Sequence, residues 1–221
     1  MRLLWIAAGI LVLDQATKVA VRLTMAMPPY RSIGLLGDWL KLTFTENPGM
    51  AFGITFGPVG LITGFSIVAT MLIIVYMYRV RKGYTPYRAS LALILGGAVG
   101  NIIDRLFYGM FFGYGEFFKG RVVDFIHINI WNGFVSEGVP LIGGTYMALF
   151  PIFNVADMAI VIGVVGILVF QKKFHLQLIE TTETAAADPT FNGMPPPGDS
   201  SALESPRVWT PPPVGEDNPS E

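Results

Sequence analysis

The chain has 221 residues, of which 52% are hydrophobic and only 14% charged, against about a quarter charged in soluble domains, which points to a membrane protein. A net charge of −1 gives no overall field to attract nucleic acid or acidic substrates. The absence of Cys excludes disulfides, thiol catalysis and thiolate metal sites, and the two distant histidines, His127 and His175, do not suit a histidine-rich metal site.

The first apolar stretch runs from about Leu3 to Val21. Asp14 and Lys18 interrupt it, and "DQATKVAV" lacks a small-residue cleavage pattern, so a retained helix is expected rather than a signal peptide. Residues 47 to 78 carry no charge. A span of about 20 residues fits there, ending before "RVRK". A third span runs from about Arg88 through "ASLALILGGAVGNII" to Asp104. "GRVVDFIHINIW" is short, apolar and β-branched, and reads as a strand or interfacial segment. The fourth span runs from about Pro151 to Gln171. From about Thr181 the chain turns rich in Pro, Ser, Gly and acid, the composition of a disordered tail.

The expected architecture is therefore a mainly α membrane protein. It has four transmembrane helices, a small β-rich or irregular outer region and a disordered C-terminal tail. The boundaries are a membrane domain over 1–175, with outer loops 22–46 and 106–150, and a tail over 176–221. Arg2, the group Arg79, Arg81, Lys82 and Arg88, and the pair Lys172–Lys173 fall on one side of four spans. The excess of basic residues makes that side cytoplasmic, with both termini on it.

Carboxylates at membrane depth are costly and usually functional. Counting at about 1.5 Å per residue puts Asp104 and Asp157 at similar depth near the outer surface, with Asp14 deeper. Plain structural readings exist for two of them. Asp14 precedes Lys18 by four residues, which suits a pair on the helix surface, and Asp104 adjoins Arg105, which could neutralise it. Asp157 has no basic neighbour before Lys172. Asp124 lies among Val122, Val123, Phe125 and Ile126, where packing would raise a carboxyl pKa.

Two such carboxylates close together share a proton. One stays protonated while the other acts as a base, so the pair can activate water and protonate a leaving amine. Depth counting favours Asp104 as the partner of Asp157. The apolar setting of Asp124 favours Asp124. Amides flank these acids: Asn47 in "ENPGMAFG", beside turn residues at the mouth of the second span, and Asn101 and Asn154, each three residues before an Asp. An amide both donates and accepts, which suits holding a peptide backbone or gluing helices together. No HExxH pair is present, and "TGFS" at 63–66 has no convincing partner for Ser–His chemistry.

The stretches "LDQATK", "ENPGMAFG", "GGAVGNIIDR", "VVDFI" and "FNVAD" occur in one order over residues 1 to 173. Together they resemble the lipoprotein signal peptidase family, signal peptidase II. The resemblance implies an aspartyl endopeptidase of the bacterial inner membrane with its active site near the periplasmic face. It implies cleavage of a prolipoprotein on the amino side of a diacylglyceryl-modified Cys. The catalytic pair would be Asp124 and Asp157. Asn47, Asn101, Arg105 and Asn154 would contact substrate, and Asp14, Lys18 and Asp104 would support them. No metal or other cofactor is implied. The implied partners are the prolipoprotein, membrane lipid and a globomycin-type inhibitor, with no nucleic acid, and the chain would act as a monomer.

Segments 106–120 and 131–150 are longer than usual for that family, and the tail is also unusual. Both segments are aromatic and Gly-rich. They would shape a lid over the lipid or lie at the membrane interface. The competing function from another class is a four-helix channel or proton carrier built on buried Asp residues. The apolar inner halves of spans two and four argue against a conduction path. An inactive lipopeptide binder is the third reading, and the retention of both candidate acids argues against it.

Overall fold

A computed structural model describes residues 3–28, 31–51, 54–55, 59–140, 143–144 and 146–186. The chain divides into two units, Met1–Leu178 and Ile179–Glu221. Among the described residues, four helices are long and apolar enough to cross a membrane. Helix α1 is Leu4–Met25, α2 is Val59–Arg79 and α3 is Thr85–Ile103. A π-helical turn, Asp104–Tyr108, and a short helix α4, Gly109–Phe111, prolong α3. Helix α5 is Val155–Ala186.

α3 is the central helix. In its most apolar stretch 44% of residues are buried, against 17%, 11% and 17% in the other three. Small residues allow this. A Cβ on Gly96 would lie 2.7 Å from the Ala7 carbonyl oxygen of α1, and one on Gly97 would strike the Ala156 carbonyl oxygen of α5. Glycine at these positions lets backbones approach where a side chain would hold them apart. Pro86 sits in the first turn of α3, where its missing N–H costs no hydrogen bond.

The region outside the long helices is built on an antiparallel sheet in the order β1 (Ser32–Leu36), β2 (Leu40–Asn47), β5 (Val122–Ile128). Two separate strand pairs are also present, β3 (Met50–Ala51) with β4 (Ile54–Thr55), and β6 (Asn132–Phe134) with β7 (Tyr146–Ala148). "VVDFI" is thus a strand. Val123 and Phe125 pack with Val21, Met25 and Tyr108 in a buried cluster. Successive side chains on a strand point to opposite faces, so Asp124 between them faces away from that cluster. Each such buried side chain contributes about 1.5–3 kcal/mol. The Phe125 and Ile126 N–H groups both donate to the Phe153 carbonyl, and Phe153 N–H donates back to Ile126. This latch fixes β5 against the entry to α5.

Three boundaries differ from those read in the sequence. The second span begins at Val59, so Asn47 ends β2 rather than standing at the mouth of a helix. The uncharged run over 47–78 marks apolarity, and its first part is strand and turn. The third span runs on to Phe111, because the π-helical turn continues it past Asp104. Helix α5 continues to Ala186, past the expected start of the tail at 176. "KKFHLQLIE" consists largely of good helix formers, and Phe174 stacks on Tyr87 with ring centroids 4.3 Å apart. The tail from 187 onward lies outside the described residues.

Candidate active site

A buried ion cluster underlies the site. The Lys18 ammonium lies 2.8 Å from Asp14 Oδ2 and 2.8 Å from Asp104 Oδ2, and all three side chains are fully buried. It also donates to Asn101 Oδ1 at 2.8 Å. All three of its protons therefore have acceptors, as burial of an ammonium requires. Asp14 accepts the Ala156 N–H at 2.9 Å, and Asp104 accepts the Val123 N–H at 3.3 Å. The cluster thus grips the backbone one residue before Asp157 and one residue before Asp124.

This arrangement corrects two sequence readings. Asp14 and Lys18 are not a surface pair, because both side chains are at 0% exposure. The neutralising partner of Asp104 is Lys18 rather than Arg105. Chain neighbours on a helix point in different directions, so adjacency made Arg105 the poorer choice.

The N-terminus of α5 carries the next layer. Asn154 immediately precedes the helix, and its Oδ1 accepts the Asp157 N–H at 2.9 Å. Asp157 Oδ2 accepts the Asn154 N–H at 3.3 Å. This is a reciprocal capping box, with Asn and Asp in its two positions. The Asn154 amide is then free to donate twice, to Asp124 Oδ1 at 2.7 Å and to Asn101 Oδ1 at 3.2 Å. Asn101 Nδ2 donates to Asp157 Oδ1 at 2.8 Å. Asn47 Nδ2 donates to Asp124 Oδ2 at 3.1 Å, while its Oδ1 accepts the Gly49 N–H at 2.8 Å. The "NPG" turn therefore holds Asn47, with Gly49 at φ +107°.

Asp124 and Asp157 both line one cavity of about 560 Å³. Its other walls include Phe153, Met158, Val161 and Ile162. The volume and apolar lining suit an organic ligand with a long apolar portion. Asp124 is buried and Asp157 half-buried. Burial, and then the charge of Asp157, push the Asp124 carboxyl up to about 7, against the lowering effect of the Asn47 and Asn154 amides and the Lys18 charge. Asp104 does not line the cavity; Lys18, Gln15 and the Val123 N–H occupy its oxygens. Arg105 lies near enough to feel Asp104, Asp157 and Asp124, and its buried Nε has no hydrogen-bond partner among the described residues.

The structure thus brings Asn47, Asn101, Asp124, Asn154 and Asp157 into one hydrogen-bonded group and sets Asp14, Lys18 and Asp104 directly behind it. Sequence reasoning missed Gln15 and its partner Tyr108. Gln15 Nε2 donates to Asp104 Oδ1 at 2.9 Å, and Gln15 Oε1 accepts from the Tyr108 hydroxyl at 3.2 Å. The signal for Gln15 was available: an amide inside an apolar helix, beside Asp14. It also missed Arg22, which is ion-paired with Glu46 and lies over the Phe112 ring at 4.0 Å.

The sequence profile of the signal peptidase (SPase) II family, Peptidase_A8, matches residues 6–173. The chain belongs to the signal peptidase II family. A lipoprotein signal peptidase of Amoebophilus asiaticus is 41% identical over 184 residues, 78% of each chain. One from Chlorobium phaeobacteroides is 39% identical over 166 residues, 75% of this chain and 86% of the relative. A solved structure described as a bacterial membrane enzyme matches with TM-score 0.54 and 28% identity, over 78% of this chain and 88% of the other. As a signal peptidase II the protein is a bacterial multi-pass membrane peptidase, and prolipoproteins are its substrate class. That membership replaces the channel reading.

Proposed function

We propose that this signal peptidase II is an aspartyl endopeptidase that cuts prolipoproteins on the amino side of a diacylglyceryl-modified Cys, with Asp124 and Asp157 as its catalytic pair. The observation that carries this reading is the cavity: two carboxylates from different elements open onto one apolar space and are joined through the amides of Asn154 and Asn101.

Asp124 is the protonated partner, because its raised pKa keeps the proton near neutral pH. Asp157 is the base. Water adds to the scissile carbonyl carbon as Asp157 takes its proton and Asp124 gives a proton to the carbonyl oxygen. Collapse of the tetrahedral intermediate breaks the C–N bond. The proton on Asp157 passes to the leaving nitrogen, and a hydroxyl proton of the intermediate returns to Asp124. One water is consumed, and a carboxyl and an amino terminus are produced.

Asn47, Asn101 and Asn154 hold the two carboxylates in register and offer groups to the substrate backbone. The Nε of Arg105, buried and unpaired among the described residues, would serve as a donor for a substrate carbonyl. The apolar wall formed by Phe153, Met158, Val161 and Ile162 accommodates lipid or signal-peptide side chains. The enzyme lies in the inner membrane as a monomer, with cytoplasmic termini and its site near the periplasmic face, following the basic residues at the span ends.

The test is cleavage of a diacylglyceryl prolipoprotein by purified protein, with and without globomycin. Cleavage at the lipidated Cys that globomycin blocks is expected. Correctly folded protein that leaves this substrate intact would refute the reading.

A further inference from the structure

The segment between the π-helical turn and β5 has two unlike sides. One side closes over the end of α1. The Arg22 guanidinium lies over Phe112 at 4.0 Å and Tyr114 at 5.0 Å, and the Tyr114 hydroxyl accepts the Arg121 N–H at 3.0 Å. The other side carries four rings in mutual contact. Phe107 stacks on Phe111 at 5.7 Å, Phe117 tilts against Phe107 at 5.6 Å, and Phe118 meets Phe117 edge-on at 5.3 Å. These rings pack sideways and two stay exposed: Phe111 is 69% and Phe117 49% exposed, while Phe107 and Phe118 are half-buried.

The position of the patch says what covers it. Phe107 and Phe111 lie at the end of the membrane-spanning stretch Thr85–Phe111. Phe117 and Phe118 continue the same surface beyond the helix end. Glu116 and Lys119 mark its polar rim, paired at 2.7 Å and 78% and 65% exposed. Rings that continue a span and end at a charged pair match the boundary between acyl chains and headgroups. The backbone supports this shape. Phe118 adopts φ +71°, a region such a residue seldom occupies, and its N–H donates to the Leu106 carbonyl at 3.1 Å.

We propose that the Phe107–Phe111–Phe117–Phe118 patch is an interfacial anchor that sits in the headgroup–acyl boundary of the bilayer and sets the height of the active site. Its coupling to the site is short. Gly120 N–H donates to the Arg105 carbonyl at 2.9 Å, and a Cβ on Gly120 would strike the Asp104 carbonyl oxygen. Asp104 in turn holds the Val123 N–H, next to Asp124. A substrate lipidated at Cys presents its scissile bond at a depth fixed by its acyl chains, so an anchor on the π-helical turn matches enzyme to substrate. The height-setting part rests on the proposed function; the membrane contact does not.

The chain has no Cys, so a single Phe117→Cys or Lys119→Cys substitution gives a unique attachment point for a nitroxide. The full-length protein is placed in phosphatidylcholine–phosphatidylglycerol nanodiscs, and collision with oxygen and with a water-soluble nickel chelate is measured. The label at 117 should be oxygen-accessible and shielded from nickel, and the label at 119 the reverse. Nickel access at 117 equal to that at 119, or shielding of 117 from both relaxants, overturns the anchor. In a second arm, Phe111→Ser/Phe117→Ser should cleave lipidated substrate in nanodiscs about tenfold more slowly. It should keep wild-type turnover and Tm in detergent, where no bilayer sets a height. Equal rates in both media overturn height-setting even where the labels confirm the anchor. Wild-type protein that cleaves nothing defeats the proposed function, and the label arm still decides the membrane contact.

Discussion

Asn154 and Asp157 cap one another: each side chain accepts the other's backbone N–H, at 2.9 and 3.3 Å. The same two residues carry the link between the carboxylates, since the Asn154 amide still reaches Asp124. Helix initiation and site geometry are therefore one arrangement. Asn154→Asp keeps a capping oxygen but loses the amide donor and sets a third acid beside Asp124. Asn154→Ala loses both. We expect Asn154→Ala to cost about 0.5–2 kcal/mol of stability through the lost cap, and Asn154→Asp at least as much, because its buried carboxyl would face the oxygens of Asp124 and Asn101. Both should lose most of their turnover. Thermal unfolding in detergent and turnover per folded molecule separate the two effects, and an active Asn154→Asp variant would contradict the assigned link.

The three acids nearest the site should behave differently. Asp124→Asn and Asp157→Asn should each lower turnover by about 10²–10⁴ while leaving folded protein at normal levels. Asp104→Asn should mainly lower Tm or accumulation, with measurable turnover in whatever folds. Stably folded Asp104→Asn without activity, beside an active Asp124→Asn, would move the pair to Asp104 and Asp157.

Lys18 is fully buried between two carboxylates. Lys18→Met leaves both without their counter-charge and should destabilise by about 3–5 kcal/mol. Adding Asp14→Asn and Asp104→Asn removes the orphaned charges and should recover part of that loss. Tm in detergent reads both. A triple variant less stable than Lys18→Met alone would show that the acids matter through their backbone contacts to Ala156 and Val123 rather than through charge.

The raised pKa of Asp124 fixes the sign of two pH effects. Its folded-state value of about 7 lies above the ordinary carboxyl value of 3.8. Between these values the unfolded chain has lost the proton that the folded protein keeps, so this group's contribution to stability declines as pH rises through that window and levels off above it. Turnover should also fall as pH rises through about 7, as the acid loses its proton. The Asn47 hydrogen bond lowers this pKa, so Asn47→Ala should move the alkaline limb to higher pH. A pH–rate profile of that variant against wild type is the measurement, and a limb displaced to lower pH would contradict the assignment.

The four spans were legible because membrane depth demands long apolar helices, and "VVDFI" was legible as a strand or interfacial segment because its residues are β-branched and apolar. The amide and acid pairs at Asn101–Asp104 and Asn154–Asp157 were legible as helix-spaced polar groups, but their partners were not. Depth counting paired Asp104 with Asp157 because it measures only position along a helix axis. It carries no information on which face turns inward, and Lys18 from α1 takes up Asp104. Asn47 was misplaced for a similar reason: absence of charge does not tell strand and turn from helix. The Arg22–Glu46 pair joins residues 24 apart, a separation that no local pattern reports.

The order in which the chain supplies its site has a consequence for biogenesis. Asn47, Asn101 and Asp124 emerge first, and Asn154 and Asp157 only at the head of the last helix. Until α5 enters the membrane, Asp124 lacks its Asn154 donor and Asp14 its Ala156 partner. With Asp124 and Asp157 as the proposed pair, a nascent chain inserting from its N-terminus thus carries no complete hydrolytic pair. On that assignment proteolytic competence arrives with the final span, and partly inserted intermediates would pose no threat to neighbouring signal peptides.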